Sequence, residues 1–385
     1  MGGMNDWPYR LLAPGPVPMP PEVYQALSEP MIHHRTPEFE KILARVLSRL
    51  PQIFETQNPV MLLNCVGSGA MEAAVVNTLS PGDEVISINA GKFGERWSKL
   101  AEAFGYINHE IQVEWGKSVD VNQVEEALKK HPNARAVLVQ VSETSTGALH
   151  PIQEIASLTR NRNVLTIADA ITAIGVVELP TDKWGVDVVI GGSQKAFMLP
   201  PGLGFVSFSE KAWKFYEEAK TPRFYWDLKS ELKSNKDNQT RFTSSVSLIR
   251  ALDVVLDRLL DIGLTNYQSY VLGLANSLKM GAQTLGFEVF PENPSPALSA
   301  FKVPSGVDGK SLRGQLEKKF NITTAGGQDQ LVGKILRVGH MGYIKKIDAA
   351  KVIEAIGLLM NEQGLNPNIA EAIEAVNQNF PAEVF

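Results

Sequence analysis

Short apolar segments alternate with helix-forming segments between residues 60 and 168, and this alternation limits the fold more than any other feature of the chain. The predicted strands are 60–64, 84–88, 108–113, 136–141 and 164–168, and the predicted helices between them are 70–79, 94–104, 121–130 and 152–160. A strand, a helix and a parallel strand in succession pack the helix on the face of one sheet. We therefore predict an α/β fold with a mainly parallel, doubly wound sheet.

The regions on either side of this alternation suggest how the chain divides. Segments 186–190 and 204–208 read as further strands, the second as a candidate antiparallel member. Ahead of the sheet, the amphipathic helix 38–50 is expected to end at Pro51, because the residue before a proline disfavours the helical conformation. Beyond residue 262, a few strands with helices to one side are typical of a small α+β domain. We predict an extended N-terminal segment at 1–20, a large domain at 21–262 and a smaller domain at 263–385.

Charge and cysteine content exclude several classes of function. The 385-residue chain has a formal net charge of −5 and a single cysteine, Cys65. This charge favours neither nucleic acid nor an anionic membrane. One cysteine excludes an internal disulfide framework and a multi-cysteine zinc or iron–sulfur site. The N-terminus lacks a signal-peptide pattern and no uncharged apolar run is long enough to span a bilayer, so we expect a cytoplasmic protein with no membrane, nucleic-acid or metal partner.

A lysine stands just beyond a strand that is apolar on both faces. Lys195 follows Val188-Val189-Ile190 and the small residues Gly191-Gly192-Ser193. A lysine in an apolar site tends to lose its proton and becomes a nucleophilic amine that can form a Schiff base. The alternative is a lysine at a strand end that points into solvent, as most lysines do.

A glycine-rich turn provides a candidate seat for an anion. Gly67-Ser68-Gly69 lies between a predicted strand and a helix that is expected to begin near Ala70. Backbone amides at such a turn point outward, and the helix dipole favours a phosphate there. The sequence lacks the third glycine of a dinucleotide fingerprint and the lysine of a P-loop.

An aspartate ends another strand of the predicted sheet. Asp169 follows the apolar segment 164–168, so it points toward the ligand crevice of a doubly wound sheet. The alternatives are a helix cap or a metal ligand, the latter without a nearby second carboxylate or histidine in the sequence. Pyridoxal phosphate (PLP) requires an anion site, a carboxylate for its ring nitrogen and an amine for its aldehyde, and these residues supply all of them.

The segments 168–173 and 191–196, Ala-Asp-Ala-Ile-Thr-Ala and Gly-Gly-Ser-Gln-Lys-Ala, resemble the class V aminotransferases of fold type I. Within that class, the chain is similar to the alanine–glyoxylate and serine–pyruvate (serine–glyoxylate) aminotransferases, from about residue 12 to residue 342. The resemblance implies that Lys195 holds PLP as an aldimine and moves a proton, and that Asp169 pairs with the pyridinium nitrogen. It implies further cofactor contacts from Gly67, Ser68, Gly69 and Gln194 at the phosphate and from Phe93, Thr144 and Ile171 at the ring.

The same resemblance implies a substrate site and a shared dimer site. Arg337 matches the arginine that binds the substrate carboxylate, and Gly15 is assigned to the substrate site with it. Without the family, an exposed arginine at a strand end is the alternative. Thr240 and Thr243 fall where the family reaches into the phosphate site of a neighbouring subunit, which implies a homodimer with shared active sites. The chain departs from many relatives at Val141, where a histidine is frequent, and at Thr240, where some have tyrosine.

The leading functional hypothesis is transamination from serine or alanine to glyoxylate or pyruvate. A second hypothesis is another class V PLP enzyme, a cysteine desulfurase or a lyase; Cys65, next to the glycine turn, is more plausible as a small buried hydrophobe than as a mobile nucleophile. A third is a non-catalytic partner subunit, because some similar sequences carry the name soluble hydrogenase small subunit. Hydrogen activation normally needs a metal held by several cysteines.

Overall fold

The computed structural model describes residues 7–385; the first six residues of the predicted N-terminal segment lie outside this range. The strands are β1 Arg10–Leu11, β2 Val60–Leu63, β3 Glu84–Asn89, β4 Ile107–Gln112, β5 Ala134–Gln140, β6 Ser142–Glu143, β7 Ala148–Leu149, β8 Leu165–Asp169, β9 Val188–Gly192, β10 Gly204–Phe208, β11 Glu288–Val289, β12 Leu298–Lys302, β13 Ile322–Thr323, β14 Ala325–Gly326 and β15 Ile335–Gly339. The helices are α1 Pro21–Ser28, α2 Pro37–Ile53, α3 Gly67–Val76, α4 Glu95–Ala103, α5 Val121–Lys130, α6 Ile152–Thr159, α7 Thr181–Trp184, α8 Glu210–Glu218, α9 Leu228–Asn235, α10 Val246–Ile262, α11 Leu264–Thr284, α12 Gly309–Phe320, α13 Lys346–Glu362 and α14 Ile369–Asn379.

A seven-stranded sheet forms the centre of the larger part of the molecule, in the order β2-β10-β9-β8-β5-β3-β4. The pairs from β9 to β4 are parallel, whereas β10 is antiparallel to both β2 and β9. Every residue of β8, β9 and β10 is buried, which explains why these strands are apolar without alternation. The α/β fold with a mainly parallel sheet is confirmed, and so is the antiparallel strand at 204–208.

A four-stranded antiparallel sheet, β11-β12-β15-β14, lies in the C-terminal part and packs with α11, α12, α13 and α14 around a core of its own. Gly263, at a φ of +83°, separates α10 from α11 at the boundary predicted from the sequence. The N-terminal segment reaches this part of the molecule, because β1 pairs in parallel with β13. The division into domains at residue 262 stays a prediction.

The structure differs from the sequence-based expectations at the ends of two helices and in one helix that was not predicted. Helix α2 runs through Pro51 to Ile53, so the proline lies inside the last turn of the helix and does not end it. Helix α3 begins at Gly67 rather than near Ala70, so the glycine turn is the first turn of the helix. Helix α14 was not predicted. Within residues 7–385, no helix combines the length and the apolar character needed to cross a membrane.

Candidate active site

Lys195 lies in a turn directly after β9 and is buried, with 8% of its surface exposed. Its Nζ donates a hydrogen bond of 2.6 Å to the carbonyl oxygen of Pro14. Burial lowers the pKa of Lys195 to about 8; Asp169 opposes this shift, and the positive charges of Arg337 and Arg96 add to it. A solvent-exposed lysine at a strand end is therefore ruled out, and the amine is close to the protonation balance that a nucleophile needs near neutral pH.

The N-terminal segment covers this lysine. Gly15 has a φ of +134°, and a Cβ atom there would lie 2.5 Å from Lys195 Nζ. The segment is anchored on both sides of Gly15. The backbone N–H of Gly339 donates to the carbonyl oxygen of Leu12, and that of Tyr343 donates to the carbonyl oxygen of Pro18. Glycine at position 15 therefore serves two needs, a backbone conformation that side chains disfavour and space for the lysine amine.

Asp169 is the last residue of β8, the strand adjacent to β9, and it is 6% exposed. Its Oδ1 accepts a hydrogen bond of 2.9 Å from the backbone N–H of Ile171, whereas its Oδ2 accepts none within residues 7–385. Burial raises the pKa of Asp169 to about 6, against the opposing charge of Arg96. The carboxylate thus stays mostly ionised at pH 7 with one oxygen available to a donor. Its contact to Ile171 resembles a cap, but it stabilises a turn rather than a helix.

The first turn of α3 lies against the turn that carries the lysine. A Cβ atom on Gly192, just before the lysine turn, would lie 3.7 Å from Gly67 Cα and 3.4 Å from Gln194 Oε1, and one on Gly67 would lie 2.3 Å from Ile171 Cδ1. No side chain caps α3, and the backbone N–H groups of Gly67 and Ser68 have no partner in the described chain. Gln194 Oε1 is also buried without a hydrogen-bond partner. The unpaired backbone donors at the N-terminus of α3 fit an anionic group such as a phosphate, whereas Gln194 Oε1 needs a donor.

Arg96, which the sequence analysis did not single out, adds a cation to this seat. It lies in the first turn of α4, and its Nη1 donates a hydrogen bond of 2.9 Å to Ser68 Oγ. Its guanidinium also lies over the ring of Phe93, 5.0 Å from the centroid. The available sequence signal was that Arg96 lies two residues after Gly94, next to the segment Gly-Lys-Phe-Gly that holds the predicted cofactor contact Phe93. Sequence alone does not indicate that α4 and α3 bring their first turns together.

Glu143 fixes the turn that carries Phe93. This carboxylate is fully buried and accepts hydrogen bonds from the backbone N–H groups of Gly94 at 2.8 Å and Phe93 at 3.3 Å. It also accepts from Ser145 Oγ at 2.5 Å, and burial raises the pKa of Glu143. The adjacent Thr144 is buried and donates to Thr172 Oγ1 at 2.8 Å. Phe93 and Thr144 are thus held by one short segment after β5.

Arg337 lies in the middle of β15 and is 7% exposed. Its Nη1 donates to the carbonyl oxygen of Thr144 at 2.6 Å and its Nε donates to that of Gly326 at 2.9 Å. Burial lowers the pKa of Arg337 to about 10, and the charge of Glu143 opposes this. The group remains a cation at pH 7, and its Nη2 makes no hydrogen bond to the described residues. An exposed arginine at a strand end is therefore the wrong interpretation.

Thr240 and Thr243 are not joined to these residues within one chain. Both lie between α9 and α10; Thr240 is buried and donates to the carbonyl oxygen of Phe242, and Thr243 is exposed. The carbonyl oxygen of Thr243 accepts from Asn64 Nδ2 at 2.8 Å, just after β2. Their role in a shared phosphate site stays a prediction.

Comparison with known proteins identifies the family. The model of the family "Aminotransferase class-V" matches residues 18–344. The chain belongs to this family. As the resemblance implied, this class V aminotransferase has the fold of type I PLP enzymes.

Two relatives and one solved structure align with this aminotransferase over nearly its whole length. It is 38% identical over 359 residues to the soluble hydrogenase 42 kDa subunit of Anabaena cylindrica, and the match covers 92% of this chain and 94% of that protein. It is 31% identical over 378 residues to the L-aspartate–glyoxylate aminotransferase of Paracoccus denitrificans, covering 96% of each. The crystal structure of ureidoglycine–glyoxylate aminotransferase from Bacillus subtilis matches with a TM-score of 0.91 and 27% identity, over 97% of this chain and 98% of that chain.

Proposed function

We propose that this aminotransferase moves the amino group of a small amino acid, serine or alanine, to a small 2-oxo acid, glyoxylate or pyruvate, with PLP on Lys195. The observation that carries the proposal is the buried amine of Lys195, whose pKa burial lowers to about 8. Asp169 and the unpaired donors of α3 complete the set of groups that PLP requires.

The residues fit the cofactor that class V aminotransferases use as a family. Gly67, Ser68, Gln194 and Arg96 would hold the phosphate, Gln194 through its Nε2 donor, supported by the unpaired backbone N–H groups of α3 and by the hydrogen bond from Arg96 to Ser68. Asp169 would accept a hydrogen bond from the protonated ring nitrogen on its free Oδ2. Phe93, Thr144 and Ile171 would surround the ring. When bound, PLP supplies an electron-withdrawing ring that takes up negative charge from the substrate carbon.

The chain's own groups would hold the substrate and move its proton. Arg337 is a buried guanidinium that would bind the substrate carboxylate through Nη1 and Nη2. Because the pKa of Lys195 is about 8, its Nζ can accept a proton from the substrate α-carbon and return it near neutral pH. Gly15 and Pro14 lie against the same amine and would limit both the space and the water beside it.

The substrate class rests on the charges near the lysine. The cations that act on Lys195 are Arg337 and Arg96, and Arg96 is hydrogen-bonded to Ser68 at the proposed phosphate seat. Arg337 is then the cation available for the α-carboxylate of the substrate. A donor with a second carboxylate would need a further cation, so this arrangement supports a donor with a neutral side chain. The Paracoccus relative and the Bacillus crystal structure both carry glyoxylate in their names, and the Paracoccus relative also carries aspartate. Glyoxylate is therefore the favoured acceptor, and aspartate is the donor to test against.

A panel of complete transamination reactions tests the function. Serine, alanine and aspartate are each combined with glyoxylate and with pyruvate, and the new amino and 2-oxo acids are measured. We expect turnover with serine or alanine and glyoxylate, and none in Lys195→Ala. Normal turnover in Lys195→Ala would exclude the proposed role of the lysine, and turnover with aspartate alone would exclude the small neutral donor.

We also propose a homodimer in which Thr240 and Thr243 reach the phosphate site of the second subunit. Exposed aromatic residues near these threonines support an interface, since Phe224 is 72% exposed and Tyr225 is 46% exposed. Mixing Lys195→Ala with Thr240→Ala/Thr243→Ala chains tests the sharing. In a shared site, one of the two sites of a mixed dimer has neither defect, so activity should rise above that of both parents; no rise would rule out the sharing.

The other hypotheses have less support. Burial raises the pKa of Cys65 to about 12, and its Cβ would lie 2.8 Å from a Cβ on Gly69, so it is a packed thiol rather than a mobile nucleophile. Sulfide release from free cysteine tests the desulfurase alternative. The hydrogenase name of the Anabaena relative leaves a partner-subunit role open; co-purifying chains and their nickel and iron content test it.

A further inference from the structure

A glutamate and two histidines meet at the far end of the large sheet from Asp169. Glu84 is the first residue of β3, His109 lies in the edge strand β4, and His131 directly follows α5. Because β3, β5 and β8 run parallel, Glu84 lies at the strand ends opposite to those that carry Asp169. One carboxylate oxygen and one nitrogen from each imidazole lie within 4.8 Å of one another.

We propose that Glu84, His109 and His131 bind one divalent transition-metal ion of the zinc type. Two imidazoles and a carboxylate are donors that zinc takes, with water in the fourth position. Adjacent donors of a tetrahedral site with bonds of about 2.1 Å lie about 3.4 Å apart. Here Glu84 Oε2 is 2.8 Å from His109 Nε2 and 3.9 Å from His131 Nδ1, and these two distances bracket the required separation.

An ion can reach the three side chains from solvent. The exposed fractions of the side chains are 25% for Glu84, 24% for His109 and 21% for His131, so an ion can enter from solvent. The two imidazole rings stack with their centroids 3.4 Å apart and their planes 14° from parallel, so one ring turns when both nitrogens bind one ion. Among residues 7–385, His131 makes no hydrogen bond with either ring nitrogen, whereas His109 Nε2 shares a hydrogen bond of 2.8 Å with Glu84 Oε2 that a bound ion would replace.

The charge around the cluster suits a cation. Glu110, Glu126 and Lys130 line the groove beside His109 and His131, which has a volume of about 510 Å³, so its lining carries one net negative charge. Glu84 adds the negative charge that pairs directly with the ion. Protein charge is needed here because both imidazoles bind metal in their neutral form.

A bound ion would link the first residue of β3, the exposed edge strand β4 and the end of α5. These residues are 25 and 22 positions apart in sequence, so the unfolded chain offers no preformed site. An ion that binds only the folded state stabilises it. We assign the ion a structural role at the sheet edge, separate from the site around Lys195, although the sequence analysis had predicted no metal.

Calorimetric titration of zinc chloride into the full-length, cofactor-loaded protein tests the site, in buffer without amino acids. We expect one ion per chain and a higher melting temperature with zinc. His109→Ala/His131→Ala should weaken binding by at least about 100-fold, more than the loss of a second-shell partner costs. His33→Ala/His34→Ala is the matched control, since these rings also lie adjacent, with centroids 4.4 Å apart, but belong to no such ligand set.

Equal zinc affinity in the wild type and in His109→Ala/His131→Ala would overturn the proposal, as would loss of binding in His33→Ala/His34→Ala alone. Glu84→Gln keeps the side-chain shape and guards against a folding defect. Its melting temperature without zinc should match that of the wild type, whereas the rise on adding zinc should disappear. With cobalt in place of zinc, a visible spectrum typical of tetrahedral nitrogen and oxygen ligands should be present in the wild type and lost in Glu84→Gln; its persistence would also contradict the site.

Discussion

Arg337 Nη1 donates a hydrogen bond of 2.6 Å to the carbonyl oxygen of Thr144, which joins the small sheet to the loop after β5. A second bond, from Nε to the carbonyl oxygen of Gly326, fixes the plane of the guanidinium. Main-chain acceptors therefore orient Arg337 without neutralising it. The group keeps its positive charge for a ligand, which is the requirement for binding a carboxylate in a fixed orientation.

Arg337→Lys should raise KM for both the amino acid and the 2-oxo acid by roughly 10–100-fold, with a smaller effect on kcat. A lysine keeps the charge but loses the paired hydrogen bonds, and a bond to a charged group contributes about 1.5–3 kcal/mol. Initial rates with varied substrate measure this. Arg135→Lys is the control, because Arg135 pairs with exposed Glu218 near the start of β5. Unchanged KM values in Arg337→Lys would contradict the assigned role.

Gly15→Ala should reduce activity strongly, because its Cβ would lie 2.5 Å from Lys195 Nζ. Gly82→Ala is the matched control: its φ is also positive, at +87°, but a Cβ there meets no atom within 4 Å. Each variant should lose roughly 1–3 kcal/mol of unfolding free energy through backbone strain. Only Gly15→Ala should also lower kcat. Thermal melts and steady-state rates separate the two effects, and equal kcat values would count against a role of Gly15 at the amine.

Arg96→Met should weaken binding of PLP by roughly 10–100-fold, since a charge-assisted contact to phosphate is worth about 1.5–3 kcal/mol. The same variant should bind pyridoxal, which has no phosphate, about as well as the wild type does. Quenching of protein fluorescence on titration gives both affinities without measuring turnover. If Arg96→Met weakened both ligands equally, Arg96 would act on the ring or on the fold rather than on the phosphate.

In the protein without cofactor, labelling of Lys195 by an amine-reactive reagent should rise with pH around a midpoint near 8, because burial lowers its pKa to about 8 and only the neutral amine reacts. Asp169→Asn should move the midpoint lower, since the carboxylate favours the protonated amine. Peptide mass spectrometry measures the labelled fraction. Exposed lysines serve as the internal reference, with a labelling midpoint at about pH 10.4. A midpoint for Lys195 that coincides with that reference would contradict its burial.

Patterns that are local in sequence predicted much of the fold and part of the site. Strand and helix alternation gave the sheet, and the strand-end positions of Asp169 and Lys195 follow from it, because parallel strands end at one edge. Contacts between residues far apart in sequence could not be predicted in this way. No local signal indicates that Arg96 meets Ser68, or that the segment at Pro14 accepts a hydrogen bond from Lys195 181 residues later.

Helix ends were the other limit of the sequence analysis. Gly67 suggested a turn, but glycine costs little in a first turn whose N–H groups have no helical partner, so α3 includes it. Helix α14 follows Gly364 and has few strong apolar residues, so its pattern was weak. Glu84, His109 and His131 come together only through strand pairing and the return of α5 to the sheet.

Reduction of the PLP-loaded protein with borohydride, followed by peptide mass spectrometry, tests the central claim most directly, because it fixes the cofactor to the amine that carries it. We expect one cofactor mass per chain, on the peptide that contains Lys195, and none in Lys195→Ala. Cofactor fixed to another lysine, or equal incorporation into Lys195→Ala, would contradict the account.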